Sequence, residues 1–361
     1  MTADQDDQFL ALSVLRWQAQ SGRHDLPWQN TRDPYRVWLS EIMLQQTQVV
    51  TVQGYFGRFL ARFPDVASLA RASLDEVLGL WAGLGYYSRA RNLHRCAQDV
   101  LRLHAGVFPD TAHQLQTLPG IGRSTAAAIA SLCFGERVSI LDGNVKRVLT
   151  RFLGFDADMS LAASEKHLWG EATHRLPTDD LWNNMPRYTQ GMMDLGATLC
   201  VATKPNCAAC PLRQRCVANG QGRQEQFPVK TRKIKRNSQS IWLLYALADD
   251  GSVWLSRRPT PGVWAGLYCF LLFDDLEALV QKVPANFHAT LQSLPMVKHV
   301  LTHKDLSLHP MQVQLPRDLK VCDEGDWFCP VQYARMGFPA PIQRMLGSRF
   351  ILEKSDDFQS Q

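Results

Sequence analysis

The sequence lacks several features that would place a chain in a specialised class. It has no run of about 18 apolar residues, so we expect no transmembrane helix. The first ten residues, MTADQDDQFL, are acidic and have no apolar core, so we expect no signal peptide and a cytoplasmic location. No internal repeat is visible. A formal net charge of +5 over 361 residues permits nucleic-acid binding without requiring it.

Disulfides are also not expected, because the cytosol keeps thiols reduced and the nine cysteines are odd in number. Four of them follow the spacing C-x6-C-x2-C-x5-C and could hold one metal centre. Zinc sites usually contain two Cys-x2-Cys pairs, and only one is present, which favours an iron–sulfur cluster. Lys204, Arg213 and Arg215 lie in the same loop and could bind phosphates. The four residues are Cys200, Cys207, Cys210 and Cys216.

Helical periodicity dominates the first part of the chain and strand patterns the last part. Residues 1–218 are expected to be almost entirely helical, with Asp33 and Thr47 as helix caps. Residues 219–239 are polar and then basic, as in a linker. Residues 240–350 contain two predicted hairpins and short helices, and 351–361 are expected to form a flexible tail. The predicted fold is a mainly α domain followed by a smaller α+β domain.

The segment LPGIGRSTAAAIA contains a glycine turn between two short predicted helices. Gly120 and Gly122 would let the backbone turn sharply and leave N–H groups facing outward at a helix start. Such a turn can bind a DNA phosphate. The alternative is a turn with no ligand, because a single G-x-G occurs in many proteins.

Two acidic residues stand in suggestive contexts. Glu41 lies in VWLSEIMLQQTQVV, where apolar neighbours would raise its pKa and suit it to act as a general acid. Gln45 and Gln46 follow one turn later and could read base edges. The alternative for Glu41 is a surface position. Asp142, in LDGNVKRVLTR, could be a helix cap or a carboxylate held over a substrate.

Together with GLGYYSRARNLH, these motifs resemble the helix–hairpin–helix DNA glycosylase superfamily, and within it the MutY family of adenine DNA glycosylases. The resemblance covers the helical part almost end to end and the C-terminal part more loosely. It implies one [4Fe–4S] cluster on the four cysteines. It also implies that Glu41 protonates adenine at N7 and later helps to activate water, while Asp142 stabilises the cationic sugar. Asn144 would help to position the site.

The resemblance also implies residues that contact the DNA. Trp28 matches a position near the adenine pocket, Gln190 one that contacts the flipped adenine, and Gln46 and Tyr86 positions that fill or wedge the helix. Ordinary core packing is the alternative for Trp28 and Tyr86. The basic residues after Asp142 would lie near the DNA backbone, in ion pairs or in solvent: Lys146, Arg147 and Arg151.

Ser124 distinguishes this chain from endonuclease III-like relatives, which carry a lysine just after the hairpin. That amine attacks the sugar and then cuts the strand. A serine cannot form a Schiff base, so we predict a monofunctional glycosylase with water as the final nucleophile. Lys146 is near enough to Asp142 in sequence for occasional imine trapping.

The C-terminal part resembles the Nudix-like domain that MutY-family enzymes append. A hydrolytic Nudix protein needs an R-E-x-x-E-E helix for magnesium, and none follows Phe270. The domain would instead recognise 8-oxoguanine through a Phe-Ser-His loop. Leu301, Thr302 and His303 occupy the matching positions, so the hydroxyl and the imidazole are kept and the aromatic ring is lost. An ordinary hairpin loop is the alternative.

The sequence therefore predicts a monomeric base-excision glycosylase acting on duplex DNA, at adenine opposite 8-oxoguanine and also opposite guanine. In a bacterium it would associate with the nucleoid, and no membrane is involved. Two alternatives remain: an endonuclease III-like glycosylase/lyase for oxidised pyrimidines, and a non-catalytic DNA-binding protein.

Overall fold

The structure is a computed structural model, and it does not describe every residue. The expected tail at 351–361 lies outside the described residues, as do residues 232–235 of the expected linker. None of the described helices is long and apolar enough to cross a membrane. The described ranges are 3–231, 236–334 and 336–347, with side chains from residue 8 onward.

The chain forms two compact units, and each of them consists of two separate stretches of the sequence. The first unit comprises Met1–Arg71 and Arg95–Lys233, and the second comprises Ala72–His94 and Ile234–Gln361. A helical segment from the middle of the helical half therefore belongs to the unit that contains the sheet.

Specific hydrogen bonds hold this inserted segment in the second unit. The Tyr87 hydroxyl donates to the Phe338 carbonyl at 2.6 Å. Arg91 Nη1 donates to the Ala265 carbonyl at 2.6 Å. These contacts join residues more than 170 positions apart, which is why no local sequence pattern indicates them.

The regular secondary structure described in the first unit is helical, as the sequence predicts, and loops connect the helices. Asp33 caps α2 by accepting a hydrogen bond from the Tyr35 N–H, and Pro34 is its first residue. The expected Thr47 cap is wrong: α3 begins one residue later, after Gln48, because the turn passes through Gln46 in the left-handed region, at φ 57°. The described helices up to residue 220 are α1 (Ala3–Ser21), α2 (Pro34–Leu44), α3 (Val49–Arg62), α4 (Val66–Arg71), α5 (Leu74–Trp81), α6 (Ser88–Leu103), α7 (Ala112–Leu115), α8 (Arg123–Phe134), α9 (Gly143–Leu153), α10 (Ala162–His174), α11 (Leu181–Thr198) and α12 (Val217–Gly220).

In the core of the first unit α11 packs against both α8 and α9. Small buried alanines on α8 let it pack closely, and α11 contributes large side chains such as Met185 and Tyr188. Gly191 brings α11 close to α1, since a Cβ there would lie 2.8 Å from Val14 Cγ1.

A mixed sheet forms the centre of the second unit. Its long strands β1 and β7 run parallel, with Asn237 opposite Lys304. The hairpins expected within 240–259 and 297–316 are both present, as β1–β2 and β6–β7. Apolar clusters cover both faces, and the predicted α+β class is confirmed. The elements are β1 (Asn237–Leu247), β2 (Val253–Arg257), β3 (Tyr268–Cys269), β4 (Leu271–Phe273), α13 (Leu276–Lys282), β5 (Gln292–Ser293), β6 (Val297–Val300), β7 (Lys304–Gln314), β8 (Asp326–Phe328) and α14 (Pro330–Tyr333).

Candidate active site

One cavity in the first unit brings together most of the residues that the sequence singles out. It lies between the end of α2, the start of α8, the loop before α9 and one face of α11. Gly120, Gly122 and Lys146 do not line it. The singled-out residues that do line it are Trp28, Glu41, Gln45, Gln46, Ser124, Asp142, Asn144, Arg147 and Gln190.

Glu41 is an acid held in an apolar setting. It lies on α2, where its neighbours Trp38 and Ile42 are buried. Burial, and to a smaller extent the negative charge of Asp142, together raise the pKa of Glu41 to about 7. Close to half of the Glu41 side chains are therefore protonated at neutral pH, which is the state that a general acid requires.

Asp142 is both a helix cap and a cavity residue. Its Oδ1 accepts a hydrogen bond from the Val145 N–H at 2.7 Å, which caps α9. Burial raises its pKa, while hydrogen bonds from the Val145 and Asn144 backbone and the charges of Arg147 and Lys146 act in the opposite direction. The two interpretations of Asp142 therefore do not compete, because the residue caps α9 and also lines the cavity.

The turn that carries Asp142 is held from both sides. The Ser124 hydroxyl accepts a hydrogen bond from the Leu141 N–H at 3.2 Å, at the start of α8. Asn144 Oδ1 accepts from Arg147 Nη2 at 2.9 Å. On the other side α11 passes so closely that a Cβ at Gly196 would lie 2.6 Å from Asn144 Cβ. Ser124 thus acts as an acceptor that positions the loop.

The basic residues on α9 have partners within the protein. Lys146 Nζ lies 2.8 Å from a carboxylate oxygen of Glu165. Arg147 donates to the Cys200 carbonyl and to the Gly196 carbonyl, each at 2.7 Å. Arg147 therefore joins the start of α9 to the end of α11.

Gln45, Gln46 and Trp28 border the cavity near the end of α2. Gln46 is exposed, and its φ of 57° is a conformation that costs a non-glycine residue free energy. Gln45 Nε2 donates to Thr125 Oγ1 at 3.4 Å. Trp28 is buried at 7% exposure and meets Phe56 edge to face at 5.4 Å. Trp28 is thus both a core residue and part of the cavity wall.

The structure adds residues that the sequence analysis missed. Gln190 Nε2 donates to Asp194 Oδ1 at 2.9 Å, and Asp194, which is fully buried, is ion-paired with Arg23 at 2.6 Å. Gln29 also lines the cavity, and its Oε1 accepts from the Leu26 N–H at 3.2 Å. The sequence held one signal for Asp194, because it places a carboxylate among the apolar residues of MMDLG.

The glycine turn stands at the start of α8 as predicted. Gly120 has φ 77°, a value that favours glycine, and Gly122 is the N-cap. The first N–H groups of a helix have no acceptor within the helix, so they are available to an anion. No described atom lies within 4 Å of a Cβ built at Gly122, so the turn is sterically open.

The four cysteines of the spaced motif line a second, narrow cavity in the first unit. Arg151, at 2% exposure, packs beside them and donates to the Val201 and Ala202 carbonyls and, at 3.5 Å, to Cys200 Sγ. Gln224 Nε2 lies 3.8 Å from Cys207 Sγ. The loop is thus organised around sulfur atoms, with donors directed at them.

The chemistry of these thiols fits a cationic centre. Burial, with a smaller contribution from the other three cysteines, raises the pKa of Cys210 to about 12, so this thiol is neutral unless a cation stabilises its thiolate. A bound metal would supply the positive charge that thiolates need in such a setting. Among the described residues, no three His, Cys, Asp or Glu side chains are grouped as they would be around a single ion. The cysteines instead surround a space.

Thr302 and His303, which are expected to recognise the lesion, and Tyr86, which is expected to wedge the helix, lie in the second unit. Tyr86 is 46% exposed with φ 48°, and its hydroxyl lies 3.1 Å from Thr302 Oγ1. His303 is exposed. Leu301, which stands at the position of the aromatic residue, is partly buried and packs against the apolar core of the sheet.

Comparison with known proteins places the chain in a family. Residues 39–172 match the HhH-GPD superfamily base excision DNA repair proteins, and residues 242–348 match the NUDIX domain. An adenine DNA glycosylase of Buchnera aphidicola is 38% identical over 92% of this chain and 95% of its own length. The human adenine DNA glycosylase is 44% identical over 60% of this chain and 40% of its own length. A thermostable thymine-DNA glycosylase structure is 25% identical and covers 60% of this chain and 98% of its own, with a TM-score of 0.53. The chain belongs to the adenine DNA glycosylase family.

Proposed function

We propose that the protein hydrolyses the N-glycosidic bond of adenine opposite 8-oxoguanine, and opposite guanine, in duplex DNA. It acts as a monomer in the cytoplasm and leaves an abasic site. The observation that carries the proposal is the presence of Glu41 and Asp142 in one cavity, with the pKa of Glu41 raised to about 7. Two carboxylates with different environments are the arrangement that glycosidic cleavage uses.

The reaction begins with extrusion of the adenine, because its reacting atoms are inaccessible within a duplex. Glu41 donates its proton to N7, so that adenine leaves as a neutral base when the bond between N9 and C1′ breaks. The electron pair of that bond goes to the base, and the sugar becomes an oxocarbenium-like cation. Asp142 stabilises this cation through its negative charge.

Water completes the reaction. Glu41, now ionised, accepts a proton from the water that attacks C1′, and the original protonation state is restored. Ser124 has no amine to form an imine, and its hydroxyl is engaged by the Leu141 N–H. Lys146 is engaged by Glu165. We therefore assign no strand-cleavage step to the protein.

A single-turnover assay tests the proposed function. A duplex with adenine opposite 8-oxoguanine is incubated with excess protein and analysed with and without hot alkali. We expect strand breaks only after alkali. Breaks without alkali would indicate a lyase, and release of an oxidised pyrimidine in place of adenine would indicate an endonuclease III-like enzyme. Binding without release of any base would indicate a non-catalytic DNA-binding protein.

We propose that the four cysteines hold one [4Fe–4S] cluster. Support comes from their position around one cavity and from the Arg151 and Gln224 side chains that donate to two of their sulfur atoms. Arg147 and Arg151 on α9 donate hydrogen bonds to the loop that contains the cysteines. When bound, the cluster would hold this loop in place beside the start of α9. Lys204 and Arg213 are exposed on this loop and are proposed to contact phosphates, as are the N–H groups after Gly122.

Cys207→Ser is expected to lose the cluster. The native protein should contain about four iron atoms per chain and absorb visible light, and the variant should lose most of both. Iron analysis and a visible spectrum of the purified proteins provide the measurement. Cys322→Ser, in the second unit and outside the motif, is the matched control and should keep its iron. Full iron content in Cys207→Ser would contradict the ligand assignment.

We propose that Tyr86 and Thr302 recognise the 8-oxoguanine strand together, supported by the 3.1 Å contact between their hydroxyls. Thr302→Val keeps the shape and removes the hydroxyl. The preference for adenine opposite 8-oxoguanine over guanine should fall by about fivefold, since a hydrogen bond contributes about 1 kcal/mol.

A double-mutant cycle distinguishes the loss of this hydrogen bond from a non-specific loss of structure. Tyr86→Phe should reduce the preference by a similar factor, and the double variant should lose little more than either single one. Thr290→Val, an exposed threonine of the same unit, should leave the preference unchanged. Additive losses would mean that the two hydroxyls act independently.

A further inference from the structure

We propose that the buried ion pair between Arg23 and Asp194 fixes the orientation of the Gln190 amide, and that this selects a 6-amino purine over a 6-oxo purine. The inference rests on the proposed function and assigns positioning roles to Arg23 and Asp194. Gln190 lines the cavity, whereas Asp194 lies behind the cavity wall and is fully buried.

The partners of the Asp194 carboxylate are all donors. Arg23 Nε donates to Oδ1 at 2.7 Å, Arg23 Nη2 lies 2.6 Å from the same atom, and the Arg23 backbone N–H donates to Oδ2 at 3.0 Å. Gln190 Nε2 donates to Oδ1 at 2.9 Å. A carboxylate in an arginine ion pair accepts hydrogen bonds and donates none.

This environment determines which end of the Gln190 amide faces Asp194. The oxygen and nitrogen of a glutamine amide are similar in shape, so their positions follow from the hydrogen-bond partners. Only Nε2 can face an acceptor without repulsion. Oε1 is therefore the atom left for a ligand, and among the described residues it accepts no hydrogen bond.

A second amide in the same cavity is fixed in the opposite sense. Gln29 Oε1 accepts from the Leu26 N–H, so its Nε2 is the remaining group. Within the part of the chain that the structure describes, this buried Nε2 has no hydrogen-bond partner. A buried donor without a partner is costly in a folded protein and is satisfied when a ligand supplies an acceptor.

The two amides together present one acceptor and one donor, which complement the edge of adenine. Adenine carries a donor at its 6-amino group and an acceptor at the adjacent ring nitrogen N1. Hypoxanthine carries an acceptor at O6 and a donor at N1, the reverse pattern. A site built from polar groups with fixed orientation rejects such an analogue, because its groups are then unpaired or repelled.

Asp194→Asn tests the positioning role. The asparagine amide can donate as well as accept, so the Gln190 amide is free to turn over. The measured quantity is the ratio of single-turnover rates for adenine and for hypoxanthine, both opposite 8-oxoguanine. We expect this ratio to fall roughly tenfold from its native value, which corresponds to about 1.4 kcal/mol. Differences in leaving-group reactivity cancel when the ratios of two proteins are compared.

Two further variants keep the test decisive. Glu171→Gln breaks another carboxylate–arginine pair in the first unit, with Arg175 and away from the cavity, and should leave the ratio unchanged. If Asp194→Asn fails to fold, Gln190→Leu removes the selecting amide directly and should reduce the same ratio. An unchanged ratio in a folded Asp194→Asn or in Gln190→Leu overturns the inference. Failure of the native protein to release adenine would instead overturn the proposed function.

Discussion

Glu41→Gln is expected to lower the single-turnover rate of adenine release by about 10²–10⁴-fold, the usual contribution of a positioned general acid. Glutamine keeps the size and polarity of the side chain but has no proton to give to N7. Adenine would then have to leave as an anion. Rates measured under enzyme excess on the duplex with adenine opposite 8-oxoguanine report this step. A fall of less than about tenfold would remove Glu41 from the acid role.

The pH dependence of the native enzyme follows from the same group. The pKa of Glu41 is raised to about 7, so the protonated form predominates below pH 7. The rate constant should fall about tenfold per pH unit above this pKa, and fall again at low pH, where the carboxylate of Asp142 becomes protonated. Glu41→Gln should lack the decline above the pKa. A native profile that rises through pH 7 would indicate that the ionised carboxylate is the active form.

Stability provides the control for Glu41→Gln. The folded-state pKa of about 7 exceeds the ordinary value of 4.5, so the folded protein binds this proton more tightly than the unfolded chain. The favourable contribution is present in full below pH 4.5 and is lost as the pH rises through 7. At pH 8 the variant should be more stable than the native protein by about 3 kcal/mol. Denaturant unfolding of both proteins at pH 4.5 and at pH 8 tests the sign of this difference in stability. A variant that loses activity but gains stability at pH 8 has not lost activity by unfolding.

Asp142→Asn is expected to lower the rate of adenine release by about 10²–10³-fold, as is typical when one electrostatic stabiliser is removed. Asparagine is neutral and cannot stabilise the cationic sugar. It can still accept the Val145 N–H, since Asn and Asp cap helices about equally well. The turn before α9 should therefore persist, and the loss should lie in the reaction step.

The comparison with Asp142→Ala separates the two roles of this residue. Asp142→Ala should lose the cap as well and be less stable by about 1 kcal/mol, whereas Asp142→Asn should unfold at nearly the native denaturant concentration. Binding of Asp142→Asn to the intact duplex should stay near the native level. A variant that releases adenine at more than a tenth of the native rate would contradict the proposed role.

The sequence by itself indicated the two domain types, the cysteine motif and the two carboxylates. These features are local: helical periodicity, strand alternation, glycine turns and cysteine spacing each act over a few residues. The cap of α2 at Asp33 was also readable, because N-capping depends on adjacent residues. The cap of α3 was misplaced at Thr47, because the left-handed turn at Gln46 has no distinct local signal.

Only the tertiary structure decided how these residues act together. Glu41 and Asp142 lie far apart in sequence, and the raised pKa of Glu41 arises from burial by several helices and from the charge of Asp142. The segment at 72–94 joined the sheet unit through hydrogen bonds to residues that follow much later. Asp194 could be connected to Arg23 and Gln190 only once α11 was packed against α1. Desolvation and hydrogen bonds between distant segments depend on distance in space, and sequence periodicity does not encode that distance.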